Sequence, residues 1–586
     1  MKSVLRRLVV VLCGWGSLVP DCWAGRGPNI LLVVADDQGW GDLSSSGNLQ
    51  LATPHLDGLA RDGVRLERFY VCPVCSPTRA ELLTGRWHLR GGVHDVSRGG
   101  ERLNADEETV AQVLSRAGYV TGAFGKWHNG TQWPHHPRAF GFGEFCGFTS
   151  GHWGTYHDAV LESEGKPVVA KGYLTDDLVG RAMDFVSRHR DRPFFCYLAM
   201  PVPHSPMQVP EAAWRRQEAR ELTMLGGERS EAEKRFTKAA LAMCEHLDAG
   251  MGRLLGHLDG LGLRDDTLVI YCSDNGPNNV RWNGGMRGIK GSVDEGGVRS
   301  MCYVRWPRRI AAGTVVRRVC AAVDVLPTLV EAAGLSAAPK QPLDGHSLLP
   351  LLLDPAAEWE ERPVFSHWNG KTGVRSGRWR LDAAGRLYDM EADPGQTRDV
   401  AAVHAEVAGE LRRRVDDWRR EMGVGREPKE RPFTVGYREF PVASLPARDG
   451  VPEGGVVRSA RAPNCSYFPA WRETGGKVRW VIALPESCRL SVSVAAAWAA
   501  PGAEVVVRCG PEQLSGKLTG IHDPPLTGAE NDRVPRAGES YMKAFREVPL
   551  GEWRLPGGRQ ELELTVVPGP GGMGVDIGGV TLTRIE

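Results

Sequence analysis

Four short apolar runs in the first half of the chain each end abruptly in polar residues. The runs are 30–35, 119–124, 194–200 and 268–272. Continuous apolar runs of this length are typical of parallel strands that are buried on both faces of a sheet. We therefore predict that the four runs are strands of one buried sheet.

Segments with a helical pattern of apolar residues lie between these runs, at 54–61, 109–117 and 238–258. Strands that alternate with helices predict an open α/β sheet, which binds its ligands beyond the carboxyl ends of the strands. The polar groups that follow the runs should therefore meet at one site. They are Asp36 and Asp37 after the first run, Lys126 and His128 after the second, His204 after the third, and Asp274 and Asn275 after the fourth.

The pattern changes near residue 364, where short strand-like runs at 364–367, 377–381 and 386–388 precede a helical segment at 403–422. A polar stretch at 423–430 reads as a linker. This part of the chain therefore predicts a small α+β unit that ends in a helix.

The remainder of the chain has the alternation of half-buried antiparallel strands. Leu562, Leu564 and Val566 alternate with polar residues, and glycines and prolines separate several such runs. We predict a β-sandwich for this part.

The composition narrows the possible functions. A chain of 586 residues is too long for one hydrophobic core, so several domains are expected. Its 72 basic and 71 acidic residues leave no excess of positive charge of the kind that nucleic-acid binding requires. We expect no nucleic-acid partner, and the sequence does not indicate an oligomeric state.

Residues 1–24 have the organisation of a secretory signal peptide. Basic residues precede an apolar run at 8–18, and a small-residue cleavage site ends at Ala24. The alternative is an N-terminal membrane anchor, but the run is shorter than a helix that spans a bilayer. We therefore predict export to the periplasm or the medium, without a stable membrane anchor.

The thirteen cysteines are scattered without regular spacing, which does not indicate a disulfide framework. Cys196 and Cys272 lie inside apolar runs and are predicted to be buried thiols. Cys72 and Cys75 form a Cys-x-x-Cys pair that could be a redox dithiol, half of a zinc site or two buried cysteines. The chain has no second such pair, which argues against zinc.

The segment 71–86 reads as a turn that leads into a short helix. Pro77 suits the first helical position and Gly85 a C-terminal stop. Cys75 would then lie at the helix entrance, where free N–H groups attract an anion and lower the pKa of a thiol. Arg79, four residues on, would project from the same face.

Two of the predicted strand ends carry hard oxygen ligands. Asp36 and Asp37 follow one strand, and Asp274 and Asn275 follow another. Oxygen ligation suits Ca²⁺ or Mg²⁺, whereas zinc would favour histidine or cysteine in the set. Either pair alone would more often be ordinary turn chemistry than a set of metal ligands.

The sequence Cys-Ser-Pro-Thr-Arg at 75–79, continued to Arg86, resembles the signature of the type I sulfatases, the formylglycine-dependent, arylsulfatase-like family of the alkaline phosphatase superfamily. Residues 125–130, 203–206, 287–291 and 295–299 resemble further segments of that family, in the family's order. Agreement across several motifs is more specific than one five-residue pattern. Thr78 and Glu81 depart from many members but lie outside the minimal motif.

The resemblance implies an alkaline-phosphatase-like fold, with helices around a mixed, mostly parallel sheet, a small α+β C-terminal subdomain and, in this chain, an appended all-β sandwich. We expect five segments. They are a signal peptide (1–24), a sulfatase catalytic domain (25–345), its C-terminal subdomain (346–422), a linker (423–432) and a β-sandwich accessory domain (433–586).

The resemblance also implies a mechanism and a cation. A formylglycine-generating enzyme would oxidise Cys75 to formylglycine, whose hydrate attacks sulfur. A divalent cation, Ca²⁺ rather than Mg²⁺, would be held by Asp36, Asp37, Asp274, Asn275 and the modified Cys75. Asp274 would help to activate the nucleophile.

Basic side chains complete the implied site. Arg79 would stabilise the hydrate, and Lys126 and Lys290 would bind the sulfate. His204 would protonate the leaving alcohol. His128 would remove a proton from the second hydroxyl so that sulfate is eliminated.

The sequence says little about the group that carries the sulfate. Loops at 151–158 and 278–282 could line the entrance or simply pack. We expect a sulfated small molecule or glycan, by resemblance to exported multidomain sulfatases. Four tryptophans of the sandwich could stack on sugars, although core positions are more usual: Trp471, Trp480, Trp498 and Trp553.

Two alternatives stay open at this point. A phosphomonoester or phosphonate hydrolase could use the same nucleophile. A non-catalytic glycan-binding protein could keep Cys75 as a thiol, although no expected ligand or base is missing from the sequence.

Overall fold

The computed structural model describes residues 27–225, 228–335, 340–426, 430–471, 475–570 and 574–586. The predicted signal peptide and part of the predicted linker lie outside these ranges. Among the described helices, none has both the length and the apolar character needed to cross a bilayer.

A mixed sheet forms the centre of the first part of the chain. Its order is β11-β2-β10-β8-β1-β7-β3-β4-β5-β6, with β9 paired to β2. The five adjacent strands from β8 to β4 run parallel, and antiparallel strands flank them. The strands are β1 Asn29–Ala35, β2 Val64–Tyr70, β3 Val120–Lys126, β4 Glu144–Phe148, β5 Val160–Ser163, β6 Lys166–Val169, β7 Phe194–Ala199, β8 Thr267–Ser273, β9 Arg299–Ser300, β10 Cys302–Arg305 and β11 Thr314–Ala321.

Helices cover both faces of this sheet. Alternate residues of β1 enter opposite cores, with Ile30 and Leu32 in one and Leu31 and Val33 in the other, which explains its unbroken apolar sequence. Helices α2, α3, α8 and α9 pack in the first core, and α1, α4, α5 and α6 in the second. The helices are α1 Pro54–Arg61, α2 Cys75–Thr84, α3 Val110–Arg116, α4 Leu174–His189, α5 Glu211–Glu218, α6 Glu231–Gly260, α7 Glu295–Val298, α8 Val325–Ala332, α9 Leu349–Leu353 and α10 Ala405–Glu421.

Helix α2 carries the predicted nucleophile. It begins at Cys75, with Val74 as its N-cap, so that Pro77 is the third helical residue and not the first as predicted. Proline is tolerated there because the first N–H groups of a helix have no partner within the helix. Gly85 ends the helix in the left-handed conformation, with φ 67°, as predicted.

A four-stranded antiparallel sheet and α10 form the small α+β unit. Its strands are β12 Val364–Trp368, β13 Lys371–Ser376, β14 Trp379–Leu381 and β15 Leu387–Asp389, in that order. Strand β13 was not predicted from the sequence. Val374, Leu381 and Leu387 pack against Ala408 and Leu411 of α10.

The last part of the chain consists of two mostly antiparallel sheets that share one hydrophobic core. We call this part, residues 433–586, the C-terminal β unit. One has the order β16-β20-β25-β22-β23 with β18 beside β20, and the other β17-β26-β21-β24 with β19 beside β26. The strands are β16 Phe433–Thr434, β17 Val442–Pro446, β18 Val451–Glu453, β19 Phe468–Trp471, β20 Lys477–Leu484, β21 Cys488–Trp498, β22 Glu504–Cys509, β23 Glu512–Lys517, β24 Arg546–Leu555, β25 Gly558–Val567 and β26 Val575–Arg584.

The tryptophans of the C-terminal β unit belong to its core. Trp471, Trp480, Trp498 and Trp553 are all buried, at most 4% exposed. They are therefore core residues and do not offer a face on which a sugar could stack.

Candidate active site

The parallel centre of the sheet brings the predicted residues together. Ala35 at the end of β1 pairs in register with Ser273 at the end of β8, so Asp36 and Asp274 emerge side by side. Lys126 ends β3, and His204 follows β7. Parallel strands end at the same edge of a sheet, which is why these side chains converge as the sequence predicted.

Cys75 lies within this group. Its Sγ and carboxylate oxygens of Asp36 and Asp274 all lie within 4.8 Å of one another. Burial raises the pKa of the Cys75 thiol, and Lys126 and Lys290 only partly offset this effect. The expectation that the helix entrance lowers this pKa was therefore wrong, because the thiol is buried and two carboxylates are close to it.

Arg79 and Asp274 form a fully buried ion pair. The guanidinium donates from Nη2 and Nε to Asp274 Oδ2, at 2.8 and 3.1 Å, and from Nη1 to the backbone oxygen of Lys126 at 2.9 Å. Burial raises the pKa of Asp274 to about 6, with a contribution from Asp36 that Arg79 opposes. Arg79 thus fixes one oxygen of Asp274 and leaves the other facing Asp37, whose N–H donates to Oδ1 at 3.2 Å.

Two lysines neutralise the neighbouring carboxylates. Lys126 Nζ lies 2.6 Å from Asp36 Oδ2, and Lys290 Nζ lies 2.7 Å from Asp37 Oδ1. Burial opposes the charge on Lys290, but Asp37, Cys75 and Asp36 together outweigh burial and raise the pKa of this lysine. The site therefore holds two ammonium groups beside its carboxylates and can attract an anion.

His128 is poised to accept a proton. Its Nε2 lies 2.8 Å from the backbone oxygen of Val96, so Nε2 carries the hydrogen. Its Nδ1 is buried, and no described residue supplies it with a hydrogen-bond partner. Burial, with help from Lys126, lowers the pKa of His128 well below its ordinary value. The ring is therefore neutral, with a free lone pair on Nδ1.

His204 is held in one tautomer. Its Nδ1 lies 2.7 Å from the backbone oxygen of Ser205 and must carry a hydrogen, while Nε2 lies 3.7 Å from Asp37 Oδ2. Burial and then Lys290 lower the pKa of His204 to about 4. His152 stacks against it at 5.7 Å between ring centroids.

The oxygen ligands fit a divalent cation. Asp36 Oδ1 and Asn275 Oδ1 are buried, yet neither accepts a hydrogen bond from any described residue. Although burial opposes ionisation, Lys290, His204 and Lys126 hold the pKa of Asp37 well below its usual range. Two oxygen atoms that accept no hydrogen bond from the described residues, near the ionised carboxylate of Asp37, form the donor set that Ca²⁺ or Mg²⁺ prefers.

The backbone is strained at two of these residues. Asp37 and His128 have φ of 64° and 62°, in the left-handed region that residues other than glycine seldom adopt. Such strain is tolerated where surrounding contacts enforce it, and it is frequent at functional sites.

Arg281, which the sequence did not predict as a site residue, holds the backbone of Asp37 in place. Arg281 pairs with Asp42 at 2.7 Å and donates to the backbone oxygen of Asp37 at 2.9 Å. The loop 278–282 was predicted only as a candidate for the entrance. No sequence motif marks Arg281, because Asp37 and Asp42 lie more than two hundred residues away from it in the chain.

Known proteins are similar to this chain over much of its length. A family model described as Sulfatase matches residues 28–335. The curated N-acetylgalactosamine-6-sulfatase of Canis lupus familiaris is 31% identical over 407 residues, which cover 62% of this chain and 74% of that protein. The curated arylsulfatase A of Homo sapiens is 34% identical over 425 residues, which cover 64% and 80%.

A solved structure supports the same relationship. The crystal structure of Ps i-CgsB in complex with k-i-k-neocarrahexaose matches with a TM-score of 0.62 and 28% identity, and covers 69% of this chain and 94% of that one. The mixed, mostly parallel sheet between helices is thus the fold of the matched proteins, as the sequence predicted.

Proposed function

The chain belongs to the sulfatase family and is a sulfatase, a hydrolase of sulfate esters, and we propose that it acts on sulfated carbohydrates with a formylglycine at Cys75 and a calcium ion. One observation carries the proposal. Cys75 Sγ lies within 4.8 Å of a carboxylate oxygen of Asp36 and one of Asp274, at a site where Asp36 Oδ1 and Asn275 Oδ1 are buried and accept no hydrogen bond from the described residues.

In the proposal, Asp36, Asp37, Asp274 and Asn275 hold the cation. The cation would supply positive charge to the oxygens of the sulfate and of the modified Cys75. Lys126 and Lys290 add two ammonium groups that match the charge of the sulfate group. Arg79 orients Asp274 through its two hydrogen bonds to Oδ2.

Formylglycine supplies a hydrated aldehyde with two hydroxyl groups, one to attack sulfur and one to lose a proton when sulfate leaves. His128 Nδ1 is free to take that proton, because Nε2 is engaged with the oxygen of Val96. An unmodified serine or cysteine nucleophile has no second hydroxyl and would be left as a stable sulfated enzyme.

His204 is the proposed acid for the leaving alcohol. Its Nε2 faces the site, and a proton there is stabilised by Asp37 at 3.7 Å. The negative charge of a bound sulfate favours the same protonated form, against the burial that lowers the pKa of this histidine.

The substrate class rests on a relative. An N-acetylgalactosamine-6-sulfatase is 31% identical to this chain, and its name describes a sulfated sugar substrate. We further propose export by the N-terminal segment 1–24 and maturation by a formylglycine-generating enzyme.

The test measures both the modification of Cys75 and the rate of ester hydrolysis. The protein is purified from a host that contains the maturation enzyme, and the peptide Phe69 to Arg79 is analysed by mass spectrometry for an aldehyde at Cys75. Hydrolysis of 4-nitrophenyl sulfate is compared with that of 4-nitrophenyl phosphate, with Cys75→Ala as the control. We expect the aldehyde and faster sulfate turnover; an unmodified thiol in active protein, or faster phosphate turnover, would overturn the proposal.

A further inference from the structure

Two segments of the C-terminal β unit reach the active-site loops. One is 454–467, between β18 and β19, and the other is 518–545, between β23 and β24. Both lie outside the matched family model, which ends at residue 335. They are therefore additions to the part of the chain that matches the sulfatase family model.

The segment 518–545 is fixed to the loop after β7. Gln208 donates to Asp532 Oδ1 at 2.8 Å and to the backbone oxygen of Gly528 at 2.7 Å. The backbone N–H of Arg533 donates to the oxygen of Met207 at 2.9 Å. These contacts hold the segment beside the loop that carries His204.

Glu539 of this segment lies next to the proposed acid. Ser205 donates from its Oγ to Glu539 Oε1, and Ser205 follows His204 in the chain. The charge of Glu539 is among the influences that raise the pKa of His204 against burial. No described residue donates a hydrogen bond to Glu539 Oε2, and the residue is only half-buried. This oxygen is free to accept a hydrogen bond from a bound molecule.

Asn464 of the other segment lies beside the proposed base. Its Oδ1 accepts from the backbone N–H of Gly151 at 3.4 Å. A Cβ built on Gly151 would lie 2.5 Å from Asn464 Nδ2 and 2.6 Å from His128 Nε2. The amide of Asn464 and the ring of His128 therefore flank the same glycine. The adjacent Cys465 donates to the backbone oxygen of His152 at 3.3 Å.

Arg536, which reaches the loop 151–158, is already engaged. Arg536 pairs with Asp532 at 2.9 Å and donates to the backbone oxygen of Gly154 at 2.7 Å. Glu539 Oε2 and Asn464 Nδ2 offer a hydrogen-bond acceptor and a donor near the two histidines. These groups bind hydroxyl and amide groups, and a carboxylate repels a second anion.

We infer that the C-terminal β unit forms the wall of the substrate site, where Glu539 and Asn464 hydrogen-bond the hydroxyl groups of the sugar ring that carries the sulfate. This inference rests on the proposed sulfatase action on carbohydrates. It predicts a preference for a neutral sugar with one sulfate over a sugar with a second anionic group next to the scissile ester.

The test separates sugar recognition from chemistry. We compare the kcat/KM of wild type, Glu539→Gln and Asn464→Ala on 4-nitrophenyl sulfate and on a panel of galactose and glucose monosulfates and disulfates. Loss of a hydrogen bond from a hydroxyl to a charged group costs about tenfold to hundredfold in kcat/KM. We expect that loss for Glu539→Gln on the best monosulfate, mainly through KM, and a loss of about twofold to tenfold for Asn464→Ala, whose amide is neutral. The effect of each variant on the aryl sulfate should be about five times smaller or less.

Glu530→Gln is the matched control, because this carboxylate lies in the same segment and, among the described residues, bonds only to the N–H of Gly528. We also expect Glu539→Gln to weaken discrimination against disulfates. Equal losses on aryl and sugar sulfates, or no loss on either, would overturn the inference. Absence of turnover by wild type on every sulfate would instead refute the proposed function. Thermal melting checks that each variant is folded.

Discussion

The guanidinium of Arg79 and the carboxylate of Asp274 meet in a pair from which water is excluded, since both side chains are 0% exposed. Two N–H groups of Arg79 bind one oxygen of Asp274, and a third binds the backbone of Lys126. The pair thereby joins helix α2 to the end of β8 and to the end of β3. It connects the elements that carry Cys75, Asp274 and Lys126.

Removal of Arg79 should cost stability as well as activity. Arg79→Ala leaves Asp274 buried without its partner, and loss of one member of a buried pair costs about 3–5 kcal/mol in the free energy of unfolding. Urea unfolding measures this change. Arg65→Ala is the control, because its pair with Glu67 is partly exposed and should be worth less than about 1 kcal/mol. Similar losses in the two variants would contradict the prediction.

The sequence predicted the parallel centre of the fold because its strands are buried on both faces. The runs 30–35 and 268–272 correspond to β1 and β8, and their strand ends converge as expected. Strand β13 was missed because polar residues such as Lys371 and Arg375 interrupt its apolar pattern. Such short antiparallel strands depend on neighbours that a local pattern does not reveal.

The other residues that the sequence did not predict reach the site through contacts between segments that are distant in the chain. Arg281, Asn464 and Glu539 reach the site from loops, and no spacing rule connects them with Asp37, Gly151 or Ser205. The thiol pKa was mispredicted for a related reason, since burial depends on the whole fold. The domain boundaries and the roles of the site residues stay predictions.

Calcium should stabilise the protein through Asp36. A ligand that binds only the folded state raises stability by RT ln(1 + [L]/Kd), so a calcium titration after treatment with EGTA should raise the melting temperature. Asp36→Ala removes a ligand oxygen and should abolish that rise. Asp62→Ala, at a partly exposed carboxylate outside the site, should leave it unchanged. A calcium response that persists in Asp36→Ala would mean that the cation binds elsewhere.

Asp248 should make stability depend on pH. This buried carboxylate of α6 accepts hydrogen bonds from the N–H groups of His55 and Leu56, and burial raises its pKa from 3.8 to about 6. The folded state therefore holds the proton more tightly than the unfolded state. The contribution of Asp248 to the free energy of unfolding is therefore most favourable below pH 3.8 and is lost as the pH rises through 6.

Asp248→Asn removes this titration. We measure the free energy of unfolding of wild type and variant with urea at pH 4 and at pH 7. The variant should gain about 2–3 kcal/mol of stability relative to wild type between the two pH values. Asp62→Asn should show no comparable movement. A difference that is independent of pH would show that the carboxylate is ionised across the range.

Gly151 should be essential for activity because of the space between His128 and Asn464. The Cβ of Gly151→Ala would lie 2.6 Å from His128 Nε2 and 2.5 Å from Asn464 Nδ2, so at least one of these side chains must move. Displacement of a catalytic group by about 1 Å can cost on the order of a hundredfold in rate. We expect kcat on 4-nitrophenyl sulfate to fall by at least about tenfold.

Gly180→Ala in α4 is the control, because nothing lies within 4 Å of the added Cβ. Alanine in a helix should stabilise the protein by about 0.5–1 kcal/mol and leave its activity unchanged. Full activity of folded Gly151→Ala on 4-nitrophenyl sulfate would show that the ring of His128 does not need its present position.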